Sequence, residues 1–590
     1  MVISLILDLI LVALVLFITA LSAAPIIFSA CPGARWLTKM SIAFVTGFAL
    51  IELAGILCSF LGFHSLLLQL GVVIAGLAWF FCNRKKILSR KAIALDREDG
   101  AVLAIAALYL VVCLLFFDRI IIWMGGDSLA HAEVIRMLLD GNVIPVSVPP
   151  FGSYWEYYPK GFHLFCYPWA SVFPLLNVVQ TIPVLITTIT PLLLYSVARE
   201  LSRKDEAIYV FILACVVFSA PYSNLIWAGY PTITAEMFLV AALLSVIVDK
   251  RLLPVFLAGV LFSHARLLVL TIVVLLFWLI GSRMSSSLPD KRKRQLALIA
   301  AAGIMAVASA CLILPIHGPE FLISIVSSQS TASEYAARWY PAFLSLFGAA
   351  IAFFRRDRMG VLALSWAAAV SCVVLLSDVG LLSFIGTADR LLLDLYLPLS
   401  LLAAPALSRM DGSDSRIRAS FILILVLCGF FGMGAVFHSY TASWAIPSAD
   451  YDAIQWLGKQ NFSDALCINL DETGAWVYPL TGMAVVNRRI IPDMKTIKLS
   501  TVREIIADPN RDSVMSSLKR SGYVRSLIYV SDESLSNPGY VPPFSKYSRA
   551  FPHVNLSFSR NSYDLIYDRG AHIYGFPRGA FSAQTSAKIN

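Results

Sequence analysis

The sequence predicts a polytopic α-helical membrane protein with a C-terminal α/β domain outside the cytoplasm. The 590 residues are 58% hydrophobic and 14% charged, with a mean hydropathy of +0.76, which is too apolar for the surface of a soluble protein. Apolar runs long enough to cross a bilayer recur from Ile3 to Phe437. After Phe437 the composition becomes polar and no spanning run follows, which indicates a separate domain.

The apolar runs predict about 14 transmembrane helices, because a helix satisfies every backbone polar group within the hydrocarbon core. Two of them, 252–264 and 267–281, are short, and the division between them is open. The run Gly161–Pro174 is too short to span, and we expect a helix that dips into the outer leaflet. The predicted spans are 4–30, 37–62, 66–82, 101–123, 177–199, 207–222, 232–248, 252–264, 267–281, 296–316, 340–354, 359–377, 390–407 and 418–437.

The formal net charge of +9 reflects membrane topology and does not indicate nucleic-acid binding. Clustered cations occupy alternate short loops, which all fall on one side of the 14-span arrangement. The positive-inside rule makes that side cytoplasmic. The basic segments are Arg84–Lys91, Arg199–Lys204, Lys250-Arg251, Lys291–Arg294, Arg355–Arg358 and Arg409–Arg418. The few cations on the other side are therefore candidates for specific roles.

Three regions follow from these patterns. Residues 1–98 hold three spans and are interpreted as an N-terminal transmembrane addition. The first span is expected to be retained, because no basic segment precedes it as in a signal peptide. Residues 99–437 form the transmembrane core, which carries the polar motifs of the outer side. Residues 438–590 form the extracytoplasmic α/β domain.

Short elements are predicted within this tail. Helices are expected over Asp450–Gln460 and Asp512–Ser521, with strands at Ala465–Leu470 and Ser526–Ser531. The segment Tyr563–Phe576 predicts a hairpin around Asp-Arg-Gly. No glycine-rich phosphate loop follows either strand, so nucleotide binding is not indicated.

The first large outer loop of the core carries Asp127, four residues after Trp123. An ionisable residue at a membrane boundary is costly to place, so it is treated as a functional candidate. The segment Ser128–Leu139 predicts a helix that lies against the outer leaflet or other spans. His131 would share a face with Asp127, and Glu133 could pair with Arg136. The alternative role of Asp127 is to cap this helix, and both roles can coexist.

The same loop continues into a second motif, Tyr154-Trp-Glu-Tyr-Tyr-Pro-Lys-Gly-Phe-His163. The aromatic residues suit a membrane interface, but Glu156, Lys160 and His163 are not explained by an aromatic belt. Lys160 can pair with an anionic head group, and His163 can face the same cavity as Asp127. The alternative is that these are solvated loop charges.

A third motif, Ser263-His264-Ala-Arg266, lies between two predicted spans. Arg266 at membrane depth needs an anionic partner, either a lipid phosphate or a structural carboxylate. The loop 317–340 adds Glu334 and Arg338, and Arg390 opens the thirteenth span. A metal bound by Asp127, His131 and His163 is possible but not favoured, because the spacing matches no known site.

The order of these features resembles the GT-C superfamily of membrane glycosyltransferases. The resemblance covers about residues 99–590 and lies in three features. They are the loop carboxylate Asp127 with its following helix, the Tyr158-Pro-Lys-Gly-Phe-His163 start of a half-buried helix, and the outer α/β tail. The Trp-Trp-Asp motif of oligosaccharyltransferases is absent from the tail. An Asp-Glu pair like that of protein O-mannosyltransferases is also absent, since Ser128 follows Asp127.

The resemblance implies a catalytic core at 99–437 and an integral protein of a prokaryotic plasma membrane, surrounded by membrane lipids. The donor would be a polyprenyl-phosphate-linked sugar, and the acceptor a glycan, lipid or protein. Asp127 matches the catalytic base, and His131 and Glu156 are expected to assist it.

The physical requirements of sugar transfer assign roles to the remaining candidates. The donor phosphate needs cations and hydrogen-bond donors, which Lys160, Arg266, Arg338 and His264 can supply. Substrate contacts are expected from His163, Tyr158, Glu334 and Arg390. Attack opposite the leaving phosphate would invert the anomeric centre.

Two other classes of protein fit the same buried charges. One is a transporter or flippase of a lipid-linked or small anionic substrate, although no inverted repeat is visible. The other is a non-catalytic scaffold of the cell envelope. Nucleic acid is not an expected partner of any of the three.

Overall fold

The fold is helical and ends in a small mixed sheet. It is a computed structural model. The residues that it describes are 2–88, 95–119, 128–141, 160–202, 204–217, 224–225, 228–287, 358–378, 394–410, 415–444, 448–460, 462, 464–469, 473–485, 516, 523–531, 564–569 and 571–576.

Four long helices open the chain at the first four predicted spans. They are α1 (Val2–Ala30), α2 (Trp36–Phe60), α3 (Leu66–Ile87) and α4 (Arg97–Arg119). Helix α2 is largely enclosed, whereas α3 exposes large apolar side chains such as Leu67 and Trp79. An apolar surface of this kind suits contact with lipid.

Two short helices follow where the sequence predicted them, α5 (Ser128–Leu139) and α6 (Gly161–Ala170). Nine side chains of α5 and all ten of α6 are buried, so other helices rather than lipid surround both. At about 15 Å, α6 is too short to cross the bilayer, as predicted. Arg136, which was expected to face Glu133, forms an ion pair with Asp140 (Nε to Oδ1, 2.9 Å).

Eight further helical segments complete the described part of the membrane region. They are α7 (Leu175–Leu201), α8 (Lys204–Ile212, extended by a π-helical turn at Leu213–Val217), α9 (Tyr230–Val248), α10 (Leu253–Ser263), α11 (Ala265–Ser287), α12 (Arg358–Asp378), α13 (Tyr396–Met410) and α14 (Ser415–Trp444). The apolar part of α7 that could cross the membrane is completely buried, so this helix lies inside the bundle.

The described residues contain eight helices long and apolar enough to cross a membrane, namely α1 to α4, α7, α9, α11 and α14. The polytopic helical architecture predicted from the sequence is therefore confirmed. Helix α10, with 11 residues and about 16 Å, is shorter than the span predicted over 252–264 and does not cross a bilayer alone. The spans predicted over 296–316 and 340–354 lie outside the described residues.

Charged residues at the end of α7 and at the beginnings of α4 and α14 meet at one end of the bundle. Arg199 pairs with Asp96 and with Glu98 (Nη1 to Oε2, 2.9 Å) at the beginning of α4. Arg418 approaches the same Glu98 (Nη2 to Oε1, 3.6 Å). The predicted cytoplasmic segments around these residues thus share one end of the molecule.

The tail contains an α/β unit. Its elements are α15 (Ser448–Gly458), β1 (Ala465–Asn469), α16 (Val477–Thr481), β2 (Arg525–Ser531), β3 (Asp564–Asp568) and β4 (Ala571–Phe576). The strand order is β1-β2-β4-β3, with β1 parallel to β2 and β4 antiparallel to both of its neighbours. The first predicted helix, both predicted strands and the hairpin are confirmed. Most of the helix predicted over Asp512–Ser521 lies outside the described residues.

Candidate functional site

Two of the predicted site residues, His131 of α5 and His163 of α6, form a buried hydrogen bond. Nδ1 of His131 lies 2.8 Å from Nε2 of His163, and Nε2 of His131 lies 3.1 Å from the carbonyl oxygen of Ala228. A carbonyl oxygen only accepts, so Nε2 of His131 carries the hydrogen in that bond. Nδ1 of neutral His131 then accepts from His163. The pair fixes the beginning of α6 against α5.

Ala228, whose carbonyl oxygen accepts the hydrogen bond from His131, has a strained backbone conformation. Ala228 has a φ of +62°, the left-handed region that a non-glycine residue enters at a cost of about 1–3 kcal/mol. The next residue, Gly229, donates its N–H to the carbonyl oxygen of Asn224 (2.8 Å) and leads into α9. This turn directs the Ala228 carbonyl group toward His131.

A buried carboxyl pair lies one to two turns further along α9. Glu236 accepts hydrogen bonds from Asn224 (Nδ2 to Oε1, 3.2 Å) and from the Tyr396 hydroxyl (to Oε2, 2.9 Å). The carboxyl group of Asp394 is an electrostatic neighbour of Glu236, and all four side chains are buried.

Arg266 is the charged neighbour of this pair. Its positive charge acts on both Glu236 and Asp394, and its side chain is partly buried. His264, which links α10 to α11, adopts an extended conformation (φ −162°, ψ 100°). Both carboxyl groups therefore act electrostatically on Arg266.

Glu52 is a buried carboxylate that the sequence interpretation missed. It accepts a hydrogen bond from Ser263 (Oγ to Oε1, 3.3 Å), and a Cβ atom at Gly161 would lie 1.8 Å from its Oε1. Among the described residues, no group donates a hydrogen bond to its Oε2. The available signal was a single acidic residue inside an apolar run, and the same signal marked Glu236.

These groups lie together because the helices that carry them begin or end at one end of the bundle. Glu52 is near the end of α2, and His163 and Glu236 are in the first two turns of α6 and α9. Arg266 opens α11, and Asp394 precedes α13. The arrangement forms a band of buried and partly buried polar groups across five helices, at the end opposite the Arg199 network.

The remaining predicted residues are only partly accounted for. Lys160 directly precedes α6 next to Gly161 and is partly buried, so it borders this band. Six candidates lie outside the described residues: Asp127, Glu156, Tyr158, Glu334, Arg338 and Arg390. In the sequence, Asp127 is the residue before Ser128, at which α5 begins.

No cluster of three or more His, Cys, Asp or Glu side chains suited to a metal ion occurs in the portion of the chain that the structure describes. A metal site of Asp127, His131 and His163 was the alternative considered from the sequence. In the structure, Nδ1 of His131 and Nε2 of His163 form a hydrogen bond with each other.

The comparisons with known proteins identify a family. A family of unknown function, DUF6541, matches residues 26–383, which is more than half of the 590 residues. The chain belongs to this family. No curated protein matches the sequence.

Similar solved structures include those of the Archaeoglobus fulgidus oligosaccharyltransferase. Its complex with Zn and sulfate has a TM-score of 0.45 and 14% identity, covering 78% of this chain and 71% of that one. The form tethered to an acceptor peptide containing the NVT sequon has a TM-score of 0.43 and 12% identity, covering 73% and 69%.

A third structure, oligosaccharyltransferase AglB from Archaeoglobus fulgidus with an inhibitory peptide and a dolichol-phosphate, has a TM-score of 0.36 and 11% identity. It covers 74% of this chain and 70% of that one.

Proposed function

We propose that this member of the DUF6541 family is an integral membrane glycosyltransferase. It moves a sugar from a polyprenyl-phosphate donor to an extracytoplasmic glycan, lipid or protein acceptor. The tail and the polar band lie on the extracytoplasmic side in this proposal. The site is built in the core 99–437, and residues 1–98 add Glu52 to it from α2.

The observation that carries the proposal is the hydrogen bond between His131 and His163. It joins the beginning of α5, which directly follows Asp127, to the beginning of α6, which follows Tyr158 and Lys160. In the proposal, the candidate base Asp127 and the candidate phosphate-binding cation Lys160 act at this end of the bundle. A reaction between a lipid-linked phosphate and a hydroxyl needs this combination at membrane depth.

The proposed reaction proceeds in one displacement. Asp127 takes the proton of the acceptor hydroxyl, and that oxygen attacks the anomeric carbon of the donor sugar. The bond from the anomeric carbon to the phosphate oxygen breaks, and polyprenyl phosphate leaves with the electron pair. Attack from the opposite face inverts the anomeric centre. His131 and Glu156 orient the base or the sugar.

Charge on the leaving phosphate would be stabilised by Lys160, Arg266 and Arg338, with His264 as a hydrogen-bond donor. His163, Tyr158, Glu334 and Arg390 would contact the sugar or the acceptor. Arg266 fits this role when it is only partly neutralised by Glu236 and Asp394.

Sugar transfer by the purified full-length chain in detergent tests the proposal, because no transmembrane gradient exists there. A radiolabelled polyprenyl-phosphate sugar and a panel of glycan, lipid and peptide acceptors would be supplied. The proposal expects labelled product and free polyprenyl phosphate. Donor binding without transfer to any acceptor, together with donor translocation in proteoliposomes, would instead identify a flippase.

A further inference from the structure

The C-terminal tail contacts the helix that follows Asp127. The hydroxyl of Tyr478, in α16 of the tail, donates a hydrogen bond to Oδ2 of Asp140 (2.8 Å). The other carboxylate oxygen, Oδ1, pairs with Nε of Arg136 (2.9 Å). Asp140 directly follows α5, so one carboxylate connects this helix to the tail.

Gly482 of the tail allows its backbone to approach the side chain of Arg136 closely. Gly482 ends α16 with a φ of +79°, a conformation that favours glycine, and its N–H donates to the carbonyl oxygen of Tyr478 (2.8 Å). A Cβ atom at Gly482 would lie 2.3 Å from Nη2 of Arg136. The tail backbone therefore packs directly onto the guanidinium group.

Helix α16 is in turn fixed to the sheet. Trp476 and Val477 are buried, and the N–H of Cys467 in β1 donates to the carbonyl oxygen of Ala484 (2.8 Å). Cys467 also pairs with Val485 as an isolated parallel bridge. The short helix α16 therefore contacts both the sheet and the end of α5. A shift of the sheet would move α16 and, with it, the contact to α5.

We infer that the α/β tail positions α5, and with it His131 and the point at which the chain enters this helix, through Tyr478, Asp140 and Gly482. The helix is about 18 Å long. The tail holds its last turn, His163 holds its first turn, and Asp127 precedes it. Tyr478 and Gly482 are positioning residues, since they act through α5. The inference deepens the proposed function and rests on it for the role of Asp127.

The test compares Tyr478→Phe with Tyr567→Phe, a control tyrosine on β3 of the same sheet. Full-length protein is assayed for kcat and donor KM of sugar transfer, and for hydrogen exchange of the amides in 128–139. Tyr478→Phe should lower kcat about tenfold, leave donor KM within twofold and accelerate exchange in α5, because small misplacements of a catalytic group slow the chemical step. Tyr567→Phe should change none of these.

Gly482→Ala is a second variant, which moves Arg136 while keeping the Tyr478 hydroxyl. It should reproduce the loss of kcat. Equal kcat and equal α5 exchange in Tyr478→Phe and its control would overturn the inference, and so would faster exchange with unchanged kcat. If wild-type protein transfers no sugar, the proposed function fails instead. In that case the exchange data alone decide whether the tail holds α5.

Discussion

His131 and His163, 32 positions apart in the chain, share a hydrogen bond of 2.8 Å inside the helical bundle. Each belongs to a short helix that follows a polar motif of the same loop. The contact joins α5 directly to α6. A third element, the strained turn at Ala228, contributes the carbonyl group that orients His131.

The first prediction concerns topology. Lys86→Cys and Gly570→Cys, each in a background without the exposed Cys82 and Cys428, should label from opposite sides of the membrane. The reason is the one-sided distribution of Lys and Arg, which makes the loops 83–98, 282–295 and 408–418 cytoplasmic. A membrane-impermeant maleimide applied to intact cells should react with the second variant only. Labelling of the Lys86→Cys variant, or no labelling of the Gly570→Cys variant, would contradict this topology.

The second prediction separates the two roles of Arg266. Arg266→Ala should weaken donor binding at least tenfold, and Arg266→Lys should restore it only in part, because lysine lacks the bidentate fork. Isothermal titration with a polyprenyl-phosphate sugar measures this.

The control for Arg266 is the double variant Arg266→Ala/Asp394→Asn, which removes the uncompensated carboxylate along with its cation. It should recover thermal stability relative to Arg266→Ala while donor affinity stays low. Full recovery of donor affinity in the double variant would show that Arg266 is only a structural counter-ion.

The third prediction concerns Glu236. Glu236→Gln keeps the side-chain shape and one carbonyl acceptor, which can serve the Asn224 amide, so it should cost about 1 kcal/mol. Glu236→Leu leaves the Asn224 amide and the Tyr396 hydroxyl without their acceptor, which should cost about 2–4 kcal/mol. Ser245→Ala, a buried site on the same helix, is the control. Equal destabilisation by Gln and Leu would contradict the role of Glu236 as a hydrogen-bond acceptor for Asn224 and Tyr396.

The fourth prediction is a pH dependence in the tail. Hydrogen bonds from Arg525 lower the pKa of Asp464, so the ionised form is favoured in the folded state. The stabilisation is fully present above the unfolded-state pKa of about 3.9, and it is lost as pH falls through the lower folded value. Because the side chain of Asp464 is 42% exposed, the contribution should stay below about 1 kcal/mol.

Thermal unfolding of wild type and Asp464→Asn between pH 7 and 3 measures it. The stability difference between the two should be constant down to about pH 5 and shrink below pH 4. A difference that persists unchanged to pH 3 would show that Arg525 does not favour the ionised form of Asp464.

The sequence predicted an element correctly where one local pattern, such as helical periodicity or a turn sequence, was clear. Helix α5 begins and ends at the predicted residues, and the hairpin around Asp-Arg-Gly forms as expected. The break between α10 and α11 lies within one residue of the predicted end at 264, but α10, with 11 residues, is too short to cross a bilayer alone. Composition alone does not show which short apolar run spans the membrane.

The site was harder to predict than the fold because its members are far apart in sequence. His131 and His163 were identified from their own loop, but Glu52 and Glu236 lie in apolar runs that were interpreted only as spans. Asp394 was likewise absorbed into a span. Only the packing of α2, α9 and α13 at one end of the bundle reveals that these carboxyl groups lie near the predicted cations. Such proximity between distant segments has no local signature.

The role of Asp127 as general base is the central claim, and sugar transfer by Asp127→Asn tests it most directly. Asparagine preserves the shape of the side chain and its capacity to cap α5, so the variant should fold with unchanged thermal stability and bind donor normally. A positioned base contributes about 10²–10⁴ in rate, so kcat should fall at least about a hundredfold. Transfer by the folded Asn variant at close to the wild-type rate would contradict the assignment and leave Asp127 as a helix cap only.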